Sequence, residues 1–427
     1  MQIEALYKIF LEHPSIQTDT RKLQKGDLFF ALKGENFNGN LFAQNALNAG
    51  AAYAIVDEIA DDSTDARLIK VADVLETLQA LAKYHRQQFN IPFIAITGSN
   101  GKTTSKELVH QVLSASYITY TTKGNLNNHI GIPLTLLSIK KDAEIAVIEM
   151  GANHQKEIES YCDYTMPTHG VITNCGKAHL EGFGGIEGVR KGKGELFDYL
   201  RKNNGIAFIM NDYDYLIEMS TGIKTVKTYG TVDADIIGSA NISKEFLDVT
   251  ITKGSSIKNI QTNLVGEYNL PNVLLAVAVG KYFKVQDDKI KIALEHYVPS
   301  NSRSQLIERG TNKIILDAYN ANPTSMKAAI ENFAKMATPE KVLILGGMME
   351  LGEESIAEHE SVIRLINAYK WKNVVLVGGD FGKIVNPYTN FSTSIEAKEW
   401  FTKQHFENTG ILVKGSRSMQ MEKVLEV

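Results

Sequence analysis

Cysteine is nearly absent: the 427-residue chain has two, Cys162 and Cys175, and no C-x-x-C pair. That excludes a disulfide framework and a cysteine-based zinc site, and it fits a reducing cytoplasm. An excess of one charge is missing too. Lys and Arg total 45 against 49 Asp and Glu, a formal net charge of −4, so no nucleic-acid surface is expected. Apolar runs such as NVLLAVAVG fall far short of the roughly 20 residues that cross a bilayer, so no membrane insertion is expected. The opening segment MQIEALYKIF carries Glu4 and has no basic start followed by an apolar core, unlike a secretory signal. Internal repeats, low-complexity tracts and long charge runs are also lacking. The expectation is a soluble cytoplasmic protein.

What is present is an ordinary globular composition, 44% apolar and 22% charged, long enough for two to three domains. Short β-branched runs alternate with helical patterns, which predicts an α/β protein with parallel sheets. Three blocks separate. The first, residues 1–85, has strands at LFFAL (28–32), AYAIV (52–56) and RLIKV (67–71), and a helix through LETLQALAKYHRQQF. The second, residues 86–298, has strands at 93–97, 117–121, 144–149, 169–173 and 206–210, then an antiparallel excursion from about 226 to 265 and the helix NLPNVLLAVAVGKYF. The third, residues 299–427, holds KIILDAYNANP, KVLILGGMMELG, NVVLVGG and GILVKGS. Each reads as a buried strand ending in a Gly-rich or polar loop, the profile of a small doubly wound domain whose ligands sit at the strands' carboxyl ends.

The segment FIAITGSNGKTTSKELVHQVL has the order strand, glycine loop, helix. It is a phosphate-binding loop without the first glycine of G-x-x-x-x-G-K-[ST], since that position holds Ile96. Gly98 and Gly101 permit the backbone angles that turn amides toward an anion, with Ser99 and Asn100 between them. Lys102 adds a positive charge for terminal phosphates, Thr103 a hydroxyl for Mg²⁺, and the helix N-terminus at Thr104 its dipole. Glu149, ending the strand EIAVIE, reads either as a Mg²⁺ ligand or water organiser, or as a strand-end charge paired with a surface lysine. His179, in the polar loop after HGVIT with Asn174, is either a structural histidine or a ligand on the same sheet edge. Arg190, Lys191 and Lys193 read first as the solvated basic face of a helix start. Trp371, Trp400, Met348, Met349 and both cysteines read as packing residues.

Together these features resemble the Mur ligase family, ATP-dependent amide-forming enzymes of peptidoglycan assembly, which use the compact loop TGSNGKTT. The resemblance covers essentially the whole chain in that family's three-domain order: a UDP-substrate domain, a central P-loop ATPase and a Rossmann-like domain for the incoming group. TDTRKLQKGDLFFALKGENFNG, NLNNHIGIPLTLL, DAYNANPTSMKAAI and VKGSRSMQMEKVL carry it further. They imply a monomer that joins D-alanyl-D-alanine to UDP-N-acetylmuramoyl-tripeptide through an acyl phosphate, with ATP and Mg²⁺. By this resemblance Thr103 and Glu149 hold one Mg²⁺, and Glu149 and His179 help hold a second. Lys193, in G-K-G-E-L-F, matches the lysine of the family's A-K-x-x-[IL]-F pattern, carbamylated in several members; Gly192 replaces the Ala. Asn272 matches an adenine-side asparagine, and Arg303 and Asp317 match residues that reach ATP. Thr20, Arg21, Asn36 and Asn128 fall to the large acceptor. Asn320, Asn322, Lys414 and Arg417 fall to the dipeptide, with Lys414 or Arg417 partnering its carboxylate. Gly347 departs from the usual Asp. Rival readings are a related ligase adding one amino acid or glutamate, a small-molecule kinase, and a nucleotide sensor.

Overall fold

A computed structural model describes residues 2–58, 65–241, 246–300 and 302–426. It divides into two compact units, Met1–Ala95 with Ile118–Gly151 and Glu157–His169, and Ile96–Tyr117 with Ala152–Lys156 and Gly170–Val427.

In the first unit four short parallel strands lie in the order Ile16–Gln17, Leu28–Phe30, Tyr53–Val56, Leu68–Lys70. Phe29, Phe30, Ile55, Val56 and Ile69 are buried, while Ile16 and Tyr53 are half-buried, as expected of a parallel sheet largely covered on its faces. A two-residue-per-strand hairpin, Lys33–Gly34 with Phe37–Asn38, places Asn36 exposed in its turn. The helix Val74–Arg86 starts where Asp73 accepts from the Glu76 amide at 2.7 Å, a standard cap. Its apolar stripe of Leu78, Leu81 and Ala82 packs on helices Ile3–Glu12, Gly131–Leu137 and Glu157–Thr165. Arg86, at its end, bonds the carbonyls of Thr165 and Met166 and lies 3.7 Å above the Phe93 ring. Strands Thr119–Thr121 and Ile145–Glu149 pair in parallel, and the second ends in Glu149.

In the second unit the helix Leu270–Tyr282 is apolar on every face and buried, packing on helix Lys102–Ser114 and on strands Ile206–Met210, Thr225–Gly230 and Ile236–Asn241. Gly280 makes the helix contact possible, because a Cβ there would lie 2.6 Å from Val112 Cγ1. The antiparallel excursion begins later than the sequence suggests. Thr225–Gly230 pairs in parallel with Ile206–Met210 because helix Asp214–Ser220 forms a crossover, and it also pairs in parallel with Ile236–Asn241. Only Ile236–Asn241, Phe246–Lys253 and Asn259–Val265 run antiparallel to one another.

The C-terminal part of this unit is a six-stranded sheet ordered Gln305–Arg309, Asn312–Asp317, Thr409–Lys414, Glu340–Gly346, Asn373–Val377, Thr389–Phe391. The first pair is an antiparallel hairpin and the rest are parallel. Parallel strands deliver Asp317, Gly346 and Lys414 to one edge, where ligands of such sheets gather. Both cysteines are buried, and Trp371 stacks on Phe333. Met348 is core, but Met349, expected to pack, is 46% exposed in the loop beyond the strand that ends at Gly346.

Helix Ser394–Lys403 opens with a reciprocal cap: Thr393 accepts from the Glu396 amide, and Glu396 accepts from the Thr393 amide. Thr393→Ala should therefore lower stability by about 1 kcal/mol and Thr393→Ser by much less. Urea unfolding followed by circular dichroism checks this; equal losses would show that the cap contributes nothing.

Candidate active site

The loop after strand Phe93–Thr97 is shaped by two left-handed glycines, Gly98 at φ +138° and Gly101 at φ +80°. Neither position admits a side chain. A Cβ on Gly98 would lie 2.0 Å from Thr173 Oγ1, and one on Gly101 2.7 Å from Asn272 Oδ1. The loop is short because it leans directly on the next segment. The Ser99 amide donates to the Asn174 carbonyl at 2.9 Å, and the Asn100 amide to Asn174 Oδ1 at 3.1 Å. Thr173 Oγ1 and Asn174 Nδ2 return bonds to the Asn100 carbonyl. Those two amides are thus committed to Asn174, and at Gly101 the loop runs into helix Lys102–Ser114. Lys102 folds back, donating to the carbonyls of Gly98 at 2.6 Å and Ser99 at 3.2 Å, which holds its charge over the loop. Thr103 is buried in the first turn. Asn272 braces that turn from below, accepting from Ser105 Oγ at 2.9 Å and donating to Asn269.

In the first unit Glu149 is 1% exposed and accepts from Asn127 Nδ2 at 2.8 Å, while its amide donates to Thr122 Oγ1. It is no surface charge. Its neighbour is Asn127 rather than Asn128, whose side chain accepts from the amides of Ile130 and Gly131 at a helix start. Also in this unit, Thr20 and Arg21 lie in the turn Thr20–Lys22, and the Arg21 side chain, 87% exposed, pairs with Asp19. That guanidinium holds the Asp19 carboxyl down to about 2.

The basic triplet does not form a solvated face. Of the three, all carried on helix Ile186–Lys202, only Lys191 is exposed, and Arg190 lies over the Tyr215 ring at 5.1 Å. Lys193 is 1% exposed, donating to the Ala152 carbonyl at 2.8 Å and lying 4.8 Å from the Phe183 ring. The same ring explains Gly192, where a Cβ would come within 2.4 Å of Phe183 Cε1. His179, at φ +53°, faces Glu350, at φ +60°. Its Nδ1 is 2.5 Å from Glu350 Oε2 without the alignment of a full hydrogen bond. Contact with His179 holds the Glu350 carboxyl below its ordinary range, against the opposing effect of burial.

On the C-terminal sheet edge, Lys414 is 2% exposed and bound to Asp317 Oδ2 at 2.5 Å, with the Asn320 carbonyl at 3.3 Å. Asp317 Oδ1 accepts from the Ser304 amide. Lys414 is thus neutralised inside the protein, and the expectation that it could meet a dipeptide carboxylate passes to Arg417. Arg417 pairs with Glu422 at 2.9 Å and lies 5.9 Å from the Tyr319 ring, which Arg303 covers from 3.5 Å. Asn320 is exposed, its side chain accepting from the Ala321 amide. Asn322 turns to the phosphate loop instead, its Nδ2 donating to Asn100 Oδ1 at 2.8 Å. Gly347 has no room for an Asp, since its Cβ would sit 2.6 Å from Gly379 Cα. Thr173, Asn127, Tyr319 and Glu350 escaped the sequence reading, because each acts through a partner distant in the chain. Glu350 had one available signal, a carboxylate in the Gly-rich loop GGMMELG after a buried strand.

Profiles of known families match three stretches of the chain. The Mur ligase catalytic domain matches residues 14–86, the Mur ligase middle domain 96–280, and the Mur ligase glutamate ligase domain 302–417. The chain is 35% identical to the UDP-N-acetylmuramoyl-tripeptide–D-alanyl-D-alanine ligase of Bacillus subtilis, over 96% of this chain and 92% of that one. Its fold is similar to MurF of Acinetobacter baumannii, with TM-score 0.88 and 31% identity over 96% of this chain and 92% of that one. It is likewise similar to the MurF ligase of Thermotoga maritima in complex with ADP, with TM-score 0.86 and 26% identity over 97% of each chain.

Behind the loop carrying Glu350, the fully buried His359 accepts the Met348 amide at Nε2, 3.0 Å, and donates from Nδ1 to the Ser355 carbonyl, 2.7 Å. This is the neutral imidazole. Burial pushes its pKa down, outweighing the Ser355 carbonyl and the charges of Asp380 and Glu358. The unfolded chain therefore binds this proton at higher pH than the folded one. The stabilisation is complete above the ordinary imidazole range and is lost as pH falls toward the lowered folded value. Hydrogen exchange at the Met348 amide should lose protection on acidification from neutral pH; unchanged protection would contradict the assignment.

Proposed function

Because the chain belongs to the Mur ligase family, we propose that it joins D-alanyl-D-alanine to UDP-N-acetylmuramoyl-tripeptide with ATP, forming UDP-N-acetylmuramoyl-pentapeptide, ADP and phosphate. The observation that supports the nucleotide half of this reading is the phosphate loop, bent at Gly98 and Gly101, with Lys102 held over it at the start of a helix. The acceptor and the dipeptide rest on the likeness to the B. subtilis enzyme along nearly the whole chain.

A carboxylate does not acylate an amine, because an oxide ion is too poor a leaving group. Transfer of the γ-phosphoryl group to a carboxylate oxygen breaks the bond to ADP and makes an acyl phosphate. The dipeptide amine then attacks the acyl carbon, and phosphate leaves through a tetrahedral intermediate as the amine proton is lost. Positioning and charge neutralisation supply most of the acceleration in such a transfer. In our reading the turn at Gly98, Ser99, Asn100, Gly101, Lys102, Thr103 and Thr104 cradles the triphosphate. Asn272 supports it on the adenine side, and Arg303 and Asp317 approach the nucleotide from the C-terminal domain. Thr20, Arg21, Asn36 and Asn128 serve the large acceptor, and Asn320 and Arg417 the dipeptide, whose free carboxylate suits a guanidinium.

The donor set also suits Mg²⁺. Thr103 offers a hydroxyl and Glu149 a buried carboxylate, both hard oxygen ligands. Among the described residues no cluster of three His, Cys, Asp or Glu forms a dedicated cage. Mg²⁺ is held in that sparse way, by few protein oxygens with phosphate and water. When bound it neutralises phosphate oxygens. His179 and a carbamate on Lys193 would serve a second ion. We assign residues 1–85, 86–298 and 299–427 to acceptor, nucleotide and dipeptide, in a cytoplasmic monomer.

Incubation with ATP, UDP-N-acetylmuramoyl-tripeptide and D-alanyl-D-alanine should yield pentapeptide and ADP in equal amounts, detected by mass spectrometry. Turnover with single amino acids but not with the dipeptide would overturn the substrate assignment, and a phosphorylated small molecule as end product would indicate a kinase. Lys102→Met should lower kcat by about 100-fold or more while the circular dichroism spectrum stays unchanged.

A further inference from the structure

The amide of Asn322 has its two ends committed in opposite directions. Its Oδ1 accepts from the Ser325 amide at 2.9 Å, capping helix Pro323–Lys335 in a reciprocal cap in which Ser325 Oγ accepts the Asn322 amide at 3.1 Å. An N-cap must present oxygen to the helix, because the helix offers only N–H groups there. The Asn322 NH₂ is therefore forced outward. It meets Asn100 of the phosphate loop, donating to Oδ1 at 2.8 Å.

This contact dictates which way the Asn100 amide lies. The opposite orientation would set its NH₂ against the Asn322 NH₂, donor against donor. Asn100 therefore gives its oxygen to the C-terminal helix and keeps its own NH₂ for the loop. That Nδ2 is buried and has no hydrogen-bond partner. A buried amide donor left unsatisfied is costly and rare in folded proteins; this one lies beside Gly176, 3.3 Å from where a Cβ there would stand, so the Asn322 contact holds the Asn100 side chain between the C-terminal helix and the strip that follows Asn174.

The neighbouring contacts hold the two segments together. Thr324 Oγ1 accepts the Lys177 amide at 3.1 Å and would be 2.9 Å from a Cβ on Gly176. Lys177 Nζ pairs with Glu358 at 2.5 Å, and Glu350 pairs with His179. The strip Gly176–His179 follows Asn174, which holds the loop backbone. One face of the nucleotide loop is thus read by the C-terminal helix cap.

We propose that Asn322 is a positioning residue for phosphoryl transfer. Its amide, oriented by the helix it caps, fixes the Asn100 side chain and with it the loop Gly98–Gly101, so that the phosphate loop is held in shape only with the C-terminal helix docked on it. This rests on the reading of the loop as the ATP site. It moves Asn322 from the dipeptide to the nucleotide.

Asn322→Ser and Asn322→Asp test it in the full-length protein, because both residues remain good caps while neither supplies the outward amide donor. Thermal unfolding should match the wild type. In steady-state assays Asn322→Ser should lower kcat/KM for ATP about fivefold, the worth of one hydrogen bond, with KM for D-alanyl-D-alanine unchanged. Asn322→Asp should lose more, because a carboxylate oxygen would then face the Asn100 oxygen. Asn100→Ala should show a similar loss, and the double variant Asn100→Ala/Asn322→Ser should lose no more than the worse single one, as expected of residues acting as one unit. Scattering should show that a non-hydrolysable ATP analogue compacts the wild type more than Asn322→Ser. Wild-type ATP kinetics in both Asn322 variants, fully additive losses, or a loss confined to KM for the dipeptide would each overturn the proposal. Wild-type turnover in the same assay shows separately whether the ligase reading itself stands.

Discussion

The structure of the second unit depends on the close approach of Gly98 to Thr173. A methyl group at Gly98 would fall 2.0 Å from the threonine hydroxyl oxygen, so loop and neighbouring segment touch backbone to side chain with nothing between. That contact lets Asn174 take the amides of Ser99 and Asn100, and it removes any need for the extra glycine of longer phosphate loops. Four hydrogen bonds hold the loop to Thr173 and Asn174 with no ligand present. Preorganised donors cost no rearrangement when charge develops, which is where electrostatic catalysis gains most.

The buried cations follow one rule. Lys193 is held by a carbonyl and an aromatic ring, Lys414 by Asp317, and Lys106 by Glu107. Burying an ammonium group is expensive unless it is paired, and the pair is seldom worth more to stability than apolar residues of the same volume. Such pairs are informative about position rather than strength. Asp317 is aimed by Lys414, and Glu350 is set against His179 by a loop that His359 fastens from behind. In each case one side chain is set in place by a partner packed beside it.

Much of this was legible in the chain itself. Strand, glycine loop and helix from Phe93 to Ser114 can be read directly, because Gly98, Gly101 and Lys102 follow an apolar run in fixed order. Glu149 was legible as a strand end, but its burial was not, since that depends on Asn127 and Thr122. Lys193 read as one of three solvated cations because a helix start looks polar until the ring of Phe183, ten residues earlier, is folded against it. Thr225–Gly230 was taken as antiparallel because its alternation is the same in either direction; only the crossover helix decides. Asn322 was given to the dipeptide, because its contact with Asn100, 222 positions away, leaves no local mark. Local pattern sets elements, and long-range contact sets what their side chains do.

The central claim is that ATP activates an acceptor carboxylate by phosphorylating it. Positional isotope transfer tests this most directly. UDP-N-acetylmuramoyl-tripeptide labelled with ¹⁸O in its terminal carboxylate is turned over with ATP and D-alanyl-D-alanine, and the released phosphate is analysed by mass spectrometry. The account predicts one labelled oxygen in each inorganic phosphate formed from a doubly labelled carboxylate. Phosphate without label, alongside normal peptide formation, would contradict it.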